Sequence, residues 1–252
     1  MMMNTAVARI LSSDGQPVGA GALIAPNRIL TCAHVVANAL RLNDEAEPNA
    51  SVQLDFPLVR NHPRHEGRVI IWHPAENHDL AVLQLHEDLP QEVRRLRLIV
   101  DDGENLWGHS FRTYGFPRGS ELGVWSAGKI LGPTGTNDWR QIEAGQEVGY
   151  RIMAGFSGSP VWDESLGGVI GVIAATDVQS RAAFVITTAA IAAVVPGISF
   201  EKPDVPRRKT SRRLKVFLCH ASDDKLLGPR LSETRSTLIE MLCLELFETR
   251  FA

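Results

Sequence analysis

The chain has 252 residues, 44% hydrophobic and 22% charged, with 26 Lys and Arg against 29 Asp and Glu, a balance that fits one large or two small folded domains and excludes a disordered polymer. The net charge of −3 argues against a nucleic-acid binder, where clustered cations dominate, and no apolar run reaches the ~18 residues of a membrane span. The N-terminal Met1–Arg9 segment lacks the order of a signal peptide, and three scattered cysteines (Cys32, Cys219, Cys243) are too few and odd in number for a disulfide framework, which points to a cytoplasmic protein.

Along residues 1–199 the chain is a succession of short β-branched segments separated by Gly, Pro and Asn: 18–24, 28–31, 52–56, 67–72, 80–85, 110–114, 124–131, 140–142, 160–162, 168–176 and 183–187. Strands of that length and spacing predict an all-β barrel or sandwich. No long helical pattern lies between successive strands, so a βαβ architecture is excluded. An Ala-rich stretch at 189–195 is expected to form a short helix closing this domain. Residues 200–213 are polar, basic and Pro-containing, with nothing to bury, and read as a solvated linker. Beyond it, 214–218 has the character of a buried strand and 231–247 that of an amphipathic helix.

Three segments carry candidate chemistry. In Gly155-Phe156-Ser157-Gly158-Ser159-Pro160 the flanking glycines let the backbone turn sharply, expose the hydroxyl and aim peptide N–H groups at one point, as an oxyanion site requires. Such a Ser needs a base and a group to orient the base. His34 lies in a small-residue turn after a hairpin pattern, within Ile29-Leu30-Thr31-Cys32-Ala33-His34. Asp79 opens an alternating apolar strand, His78-Asp79-Leu80-Ala81-Val82-Leu83. Taken alone, each has a plainer explanation as a turn former or a structural polar group.

Together, in the chain order 34, 79, 157, these motifs resemble the trypsin-like (chymotrypsin-fold) serine peptidases, especially the disulfide-free, HtrA-like branch. The resemblance covers residues 5–199. It implies two antiparallel six-stranded β-barrels, followed here by a short α/β C-terminal extension. It also implies a catalytic triad in which Ser157 attacks the scissile carbonyl, His34 transfers its proton and Asp79 holds the imidazole. The N–H groups of Gly155 and Ser157 would form the oxyanion hole, worth roughly 3–4 kcal/mol per donor. The segment 168–175 resembles the strand that pairs with the substrate backbone. Phe156 stands where digestive members carry the Asp that binds a newly cut N-terminus, so activation by N-terminal cleavage is not expected.

The family's pocket position falls on Arg151. It either selects an acidic side chain or points to solvent, and solvent is the preferred reading; Ala174 and Ala175 would line the pocket, and Met153 and Phe156 either narrow it or pack the loop. Cys32 is expected to be a buried small hydrophobe. His62, His65, His73 and His78 fit no common zinc spacing and read as a His-rich loop, so neither a metal nor another cofactor is expected. Trp72, Trp107, Trp125, Trp139 and Trp162 read as core residues. The run 101–105 is expected to be an acidic turn near the connection between the barrels.

The segment Lys215-Val216-Phe217-Leu218-Cys219-His220-Ala221-Ser222-Asp223-Asp224-Lys225 resembles the opening strand and loop of a bacterial TIR domain. The likeness stops there, and neither Glu240 nor Glu245 has the context of that family's NAD-cleaving Glu. Residues 214–252 therefore read as a truncated TIR-like remnant without NADase activity, or as a short docking element. Leu238, Leu242 and Leu246 would offer an apolar face for self-association. The resulting expectation is a cytoplasmic serine endopeptidase within a bacterial defence or signalling protein, acting on a protein or peptide, with either an activating partner or self-association through the C-terminal segment, and without nucleic acid or membrane. The alternatives are a latent peptide-binding or scaffold module on the same fold, and an esterase-like hydrolase.

Overall fold

Short strands with one apolar face have unpaired edges unless the sheet closes on itself. The computed structural model, which describes residues 4–43, 47–100, 106–134, 139–145, 150–176 and 181–203, closes them twice. The first barrel contains β1 (Val7–Leu11), β2 (Pro17–Ala25), β3 (Arg28–Thr31), β4 (Ser51–Asp55), β5 (His65–His73) and β6 (Leu80–Leu85), in the spatial order β1-β2-β3-β6-β5-β4. The second contains β7 (Ser110–Gly115), β8 (Val124–Pro133), β9 (Trp139–Ala144), β10 (Pro160–Asp163), β11 (Gly168–Thr176) and β12 (Ala182–Thr187), in the order β10-β11-β12-β9-β8-β7. Every strand pair is antiparallel. The chain therefore has the all-β chymotrypsin-like architecture.

Two elements escaped the sequence pattern. The first is β1, whose five residues close the first barrel between β2 and β4. The second is α1 (Ala33–Leu40), where a small-residue turn was expected. Its apolar residues Val35 and Val36 are buried, and they dock the helix onto the barrel. The Ala-rich C-terminal stretch forms α2 (Thr188–Val194), capped by the Thr187 side chain, which accepts the Ala190 N–H. Among the described residues no helix is long and apolar enough to cross a membrane.

Ile10, Ile24, Leu30, Leu54 and Leu83 fill the first barrel, and Phe111, Ile130, Ile142, Val161 and Val185 fill the second. The connecting segment is stitched to both. Leu96 N–H donates to Leu23 C=O at 2.8 Å, and Ile99 N–H donates to Val169 C=O at 2.8 Å. The folded region extends past residue 199: Glu201 exchanges backbone hydrogen bonds with Leu98 and Val100, and its carboxylate meets Arg97 Nε at 2.6 Å. The rest of the linker, the TIR-like segment and the acidic run 101–105 lie outside the described residues.

Three other expectations need correction. Trp107 and Trp125 are 70% and 39% exposed, Trp107 lying beside Gly132 of β8 and Trp125 packing on Tyr114 with ring centroids 4.9 Å apart; Trp72, Trp139 and Trp162 do pack against the core. The histidines do not share a loop, since His65 and His73 are the two ends of β5. Finally, β6 is buried nearly throughout rather than alternating, and α1 packs against it from outside the barrel ring.

Candidate active site

His34 sits in the first turn of α1, whose N-terminal N–H groups have no intrahelical acceptor. Cys32, the residue before the helix, supplies no side-chain cap. Asp79 fills that role from the turn before β6, its Oδ1 accepting the His34 backbone N–H at 3.1 Å. Its other oxygen, Oδ2, lies 2.7 Å from His34 Nδ1. A single buried carboxylate thus fixes both the backbone and the ring of His34, and a negative charge at a helix N-terminus is favourable in itself. The pairing leaves Nε2 as the ring nitrogen without a carboxylate partner, on a side chain that is 27% exposed.

Ser157 belongs to the second barrel but is bolted to the first. Its carbonyl accepts the Ala20 N–H of β2 at 2.8 Å, and the next residue, Gly158, donates its N–H to Ile173 C=O at 2.7 Å. Ile173 C=O also accepts the Cys32 thiol at 3.2 Å. The serine turn, the strand β11 and the residue two before His34 therefore meet at one buried point between the barrels. Cys32 is fully buried as expected, but it works as a donor as well as a hydrophobe. Burial first, and then the negative charge of Asp79, push its thiol well above the ordinary 9.0. Donor atoms of Cys32, His34 and Asp79 lie within 4.8 Å of one another, a set capable of holding a metal ion. Within that set His34 Nδ1 pairs with Asp79, while the Cys32 thiol bonds outside it to Ile173 C=O.

The turn before Ser157 is shaped for close approach. Gly155 has φ +100°, and a Cβ there would lie 2.3 Å from the Phe116 carbonyl oxygen. Phe116 N–H donates to Gly155 C=O at 2.9 Å, and Phe156 N–H donates to Met153 C=O at 3.0 Å. Phe156 is fully buried, packed on Gly115. Among the described residues neither the Gly155 nor the Ser157 N–H donates to a protein acceptor. The Ser157 hydroxyl donates to Ala174 C=O at 3.3 Å and makes no hydrogen bond to His34.

The trypsin-like peptidase domain matches residues 19–172, more than half of the chain. The chain belongs to the trypsin-like peptidase family. Solved structures share its fold. The active form of the Rv3671c protease of M. tuberculosis superposes with a TM-score of 0.57 at 23% identity, over 80% of this chain and 84% of that one. A serine endoprotease from Yersinia pestis gives 0.56 at 20% identity, over 74% of this chain and 60% of that one. The MamO protease domain of Magnetospirillum magneticum gives 0.54 at 16% identity, over 76% and 96%. No curated protein sequence matches the chain.

In this trypsin-like peptidase the three residues expected as a triad stand on α1, the turn before β6 and the turn before β10; His34 and Asp79 are in contact, while Ser157 bonds to Ala174. The pocket candidates diverge. Ala174 is buried, its carbonyl engaged by Ser157. Ala175 is exposed, and so is Arg151, the solvent-facing outcome preferred for it. Met153 is exposed as well, while Phe156 packs the loop. Sequence reasoning missed the bridging roles of Ala20, Cys32 and Ile173. Two of them act through backbone atoms, which leave no mark on residue type.

Proposed function

We propose that this trypsin-like peptidase is a serine endopeptidase. Ser157 Oγ attacks the carbonyl carbon of a peptide bond while His34 Nε2 takes the hydroxyl proton. The resulting oxyanion sits against the Gly155 and Ser157 N–H groups. His34 then returns the proton to the leaving amine as the C–N bond breaks, and water repeats the cycle on the acyl-enzyme. Asp79 keeps the Nδ1 proton in place and stabilises the imidazolium. The observation that carries this reading is the 2.7 Å His34–Asp79 contact on the same barrel that grips the Ser157 carbonyl through Ala20. The Ser157 hydroxyl rests on Ala174 C=O, and catalytic hydrogen bonds commonly form or tighten only when substrate binds.

The wider reading is a cytoplasmic enzyme of a bacterial defence or signalling protein, divided into a peptidase domain (1–199), a basic linker (200–213) and a TIR-like segment (214–252). It draws on the sparse cysteines and the 215–225 likeness. A second reading, a latent peptide-binding module, is favoured by one observation: the Ser157 hydroxyl engages Ala174 rather than His34.

Intact-mass labelling with a fluorophosphonate, wild type beside Ser157→Ala, separates them. Labelling confined to the wild type supports an activated Ser157. No labelling of folded wild type favours the latent module and overturns the enzyme reading.

A further inference from the structure

The Gly155 peptide rests on the loop between β7 and β8, residues 116–123. Phe116 N–H donates to Gly155 C=O at 2.9 Å, and the two backbones approach so closely that a Cβ on Gly155 would lie 2.3 Å from Phe116 O. The bond holds the 155–156 peptide, so a shift of this loop displaces Gly155 and, through its Cα, the N–H that Gly155 carries on the preceding peptide. The loop is braced internally: Ser120 N–H donates to Pro117 C=O at 2.9 Å, Gly123 N–H to Ser120 C=O at 2.8 Å, and the Tyr114 hydroxyl to Leu122 C=O.

Its far end is met by a side chain from the other barrel. Arg9, on β1, lays Nε and Nη2 on the two carboxylate oxygens of Asp55 at 2.9 and 2.6 Å. Asp55 ends β4 and is only 2% exposed, and His62 Nδ1 stands 3.5 Å from its Oδ2. The remaining terminal nitrogen, Nη1, crosses to the Glu121 carbonyl at 2.6 Å. A planar guanidinium can hold a carboxylate with two donors and still offer a third in a fixed direction, which no ammonium can do.

We propose that Arg9 is a positioning residue. Anchored on Asp55, it holds the Glu121 carbonyl and so sets the loop, the Gly155 peptide and the oxyanion-binding N–H groups in register with His34 and Asp79. The two halves of the site lie on different barrels, and Arg9 is a directed, charge-assisted link between them at the loop's outer end. The inference rests on the serine endopeptidase reading of the site.

Arg9→Lys tests it, because one ammonium keeps a charge on Asp55 while giving up the geometry that reaches Glu121. A double variant, Arg9→Ala with Asp55→Ala, removes the buried carboxylate together with its partner and guards against simple misfolding. The fluorophosphonate labelling rate and kcat should fall about ten-fold in both, a part of the 10²–10³-fold carried by one oxyanion donor, with KM little changed. Hydrogen exchange should rise at the Phe116 amide and in 153–157 but not in α1. Wild-type labelling and kcat with unaltered exchange would overturn the proposal, and so would a lowered unfolding midpoint alone. If wild type itself fails to label, the endopeptidase reading falls, and exchange at Phe116 still decides the coupling: a rise supports it and no change refutes it.

Discussion

Replacing Gly158 by Ala tests the physical basis of the whole site. Gly158 has φ +82°, and a Cβ there would lie 2.0 Å from the Ala20 carbonyl oxygen and 2.6 Å from Thr31 Oγ1. Neither neighbour can yield cheaply. The first is backbone of the stave β2, and the second is held there by its own 2.7 Å hydrogen bond to that same carbonyl. The turn itself must therefore retreat, breaking the bonds from Ala20 N–H to Ser157 C=O and from Gly158 N–H to Ile173 C=O, at 2.8 and 2.7 Å. The left-handed backbone costs about 1–2 kcal/mol and each lost hydrogen bond about 1 kcal/mol, so the variant should lose roughly 3–4 kcal/mol of stability. For a domain of this size that lowers Tm by roughly 6–16 °C. Gly108→Ala is the control: φ is +79° but nothing lies within 4 Å, so only the backbone cost of about 1–2 kcal/mol applies. Urea unfolding followed by Trp fluorescence measures both. Fluorophosphonate labelling of Gly158→Ala should also fall, since Ser157 moves with the turn. Equal destabilisation of the two variants would refute the close-approach argument.

Two further predictions concern the neighbours of His34. The folded Cys32 thiol keeps its proton at pH values where the unfolded chain, near the ordinary 9.0, has lost it. The folded state then binds more protons, so the stability Cys32 contributes is complete below about pH 9 and is lost as the pH rises beyond it. Cys32→Ala should flatten the alkaline limb of the stability–pH curve, and superimposable limbs would contradict the assignment. Asp79→Asn keeps an acceptor for the His34 backbone N–H but favours the wrong imidazole tautomer. It should leave the fold intact while lowering kcat by roughly 10⁴-fold; a stopped-flow acylation rate within ten-fold of wild type would remove Asp79 from the mechanism.

Most of the architecture was legible because closed β-barrels write themselves as short apolar runs between turn residues, and the boundaries 28–31, 80–85 and 168–176 match the observed strands. The candidate site was drawn from three local strings, and of these the structure brings the His34 and Asp79 strings into contact. What escaped has a common physical character. β1 and α1 are short and are stabilised by docking rather than by their own periodicity. The bonds of Ala20 and Ile173 to the serine turn are backbone bonds, and any residue makes them. Arg9 and Glu121 meet across 112 positions of sequence, with a carbonyl as acceptor, so no pairing of residue types announces the contact. Arg151 was ambiguous because the direction of a loop side chain is fixed by tertiary packing that no local pattern encodes.

Asp79, the acid proposed to orient His34, stands on strained backbone, and this leads to a last prediction. His78 and Asp79 both have positive φ, +74° and +52°, a conformation that disfavours side chains by about 1–2 kcal/mol per residue. The turn persists because Asn77 and Asp79 both donate their N–H groups to Pro74 C=O, at 2.8 and 3.1 Å. The Asp79 carboxylate is in turn held by the two bonds to His34. Strain of this kind survives when surrounding contacts over-determine it, and here it aims the carboxylate at the start of α1. At position 78 the usual stability order of Ala and Gly should therefore reverse. Both substitutions lose the edge contact of His78 with His73, whose centroids lie 5.7 Å apart, but only Gly escapes the left-handed penalty. His78→Gly should be more stable than His78→Ala by about 1 kcal/mol, the net of relieved strain and the extra entropy of an unfolded glycine. If His78→Ala proves the more stable in urea unfolding, the backbone at the acid is not strained, and the placement of Asp79 must be credited to its side-chain bonds alone.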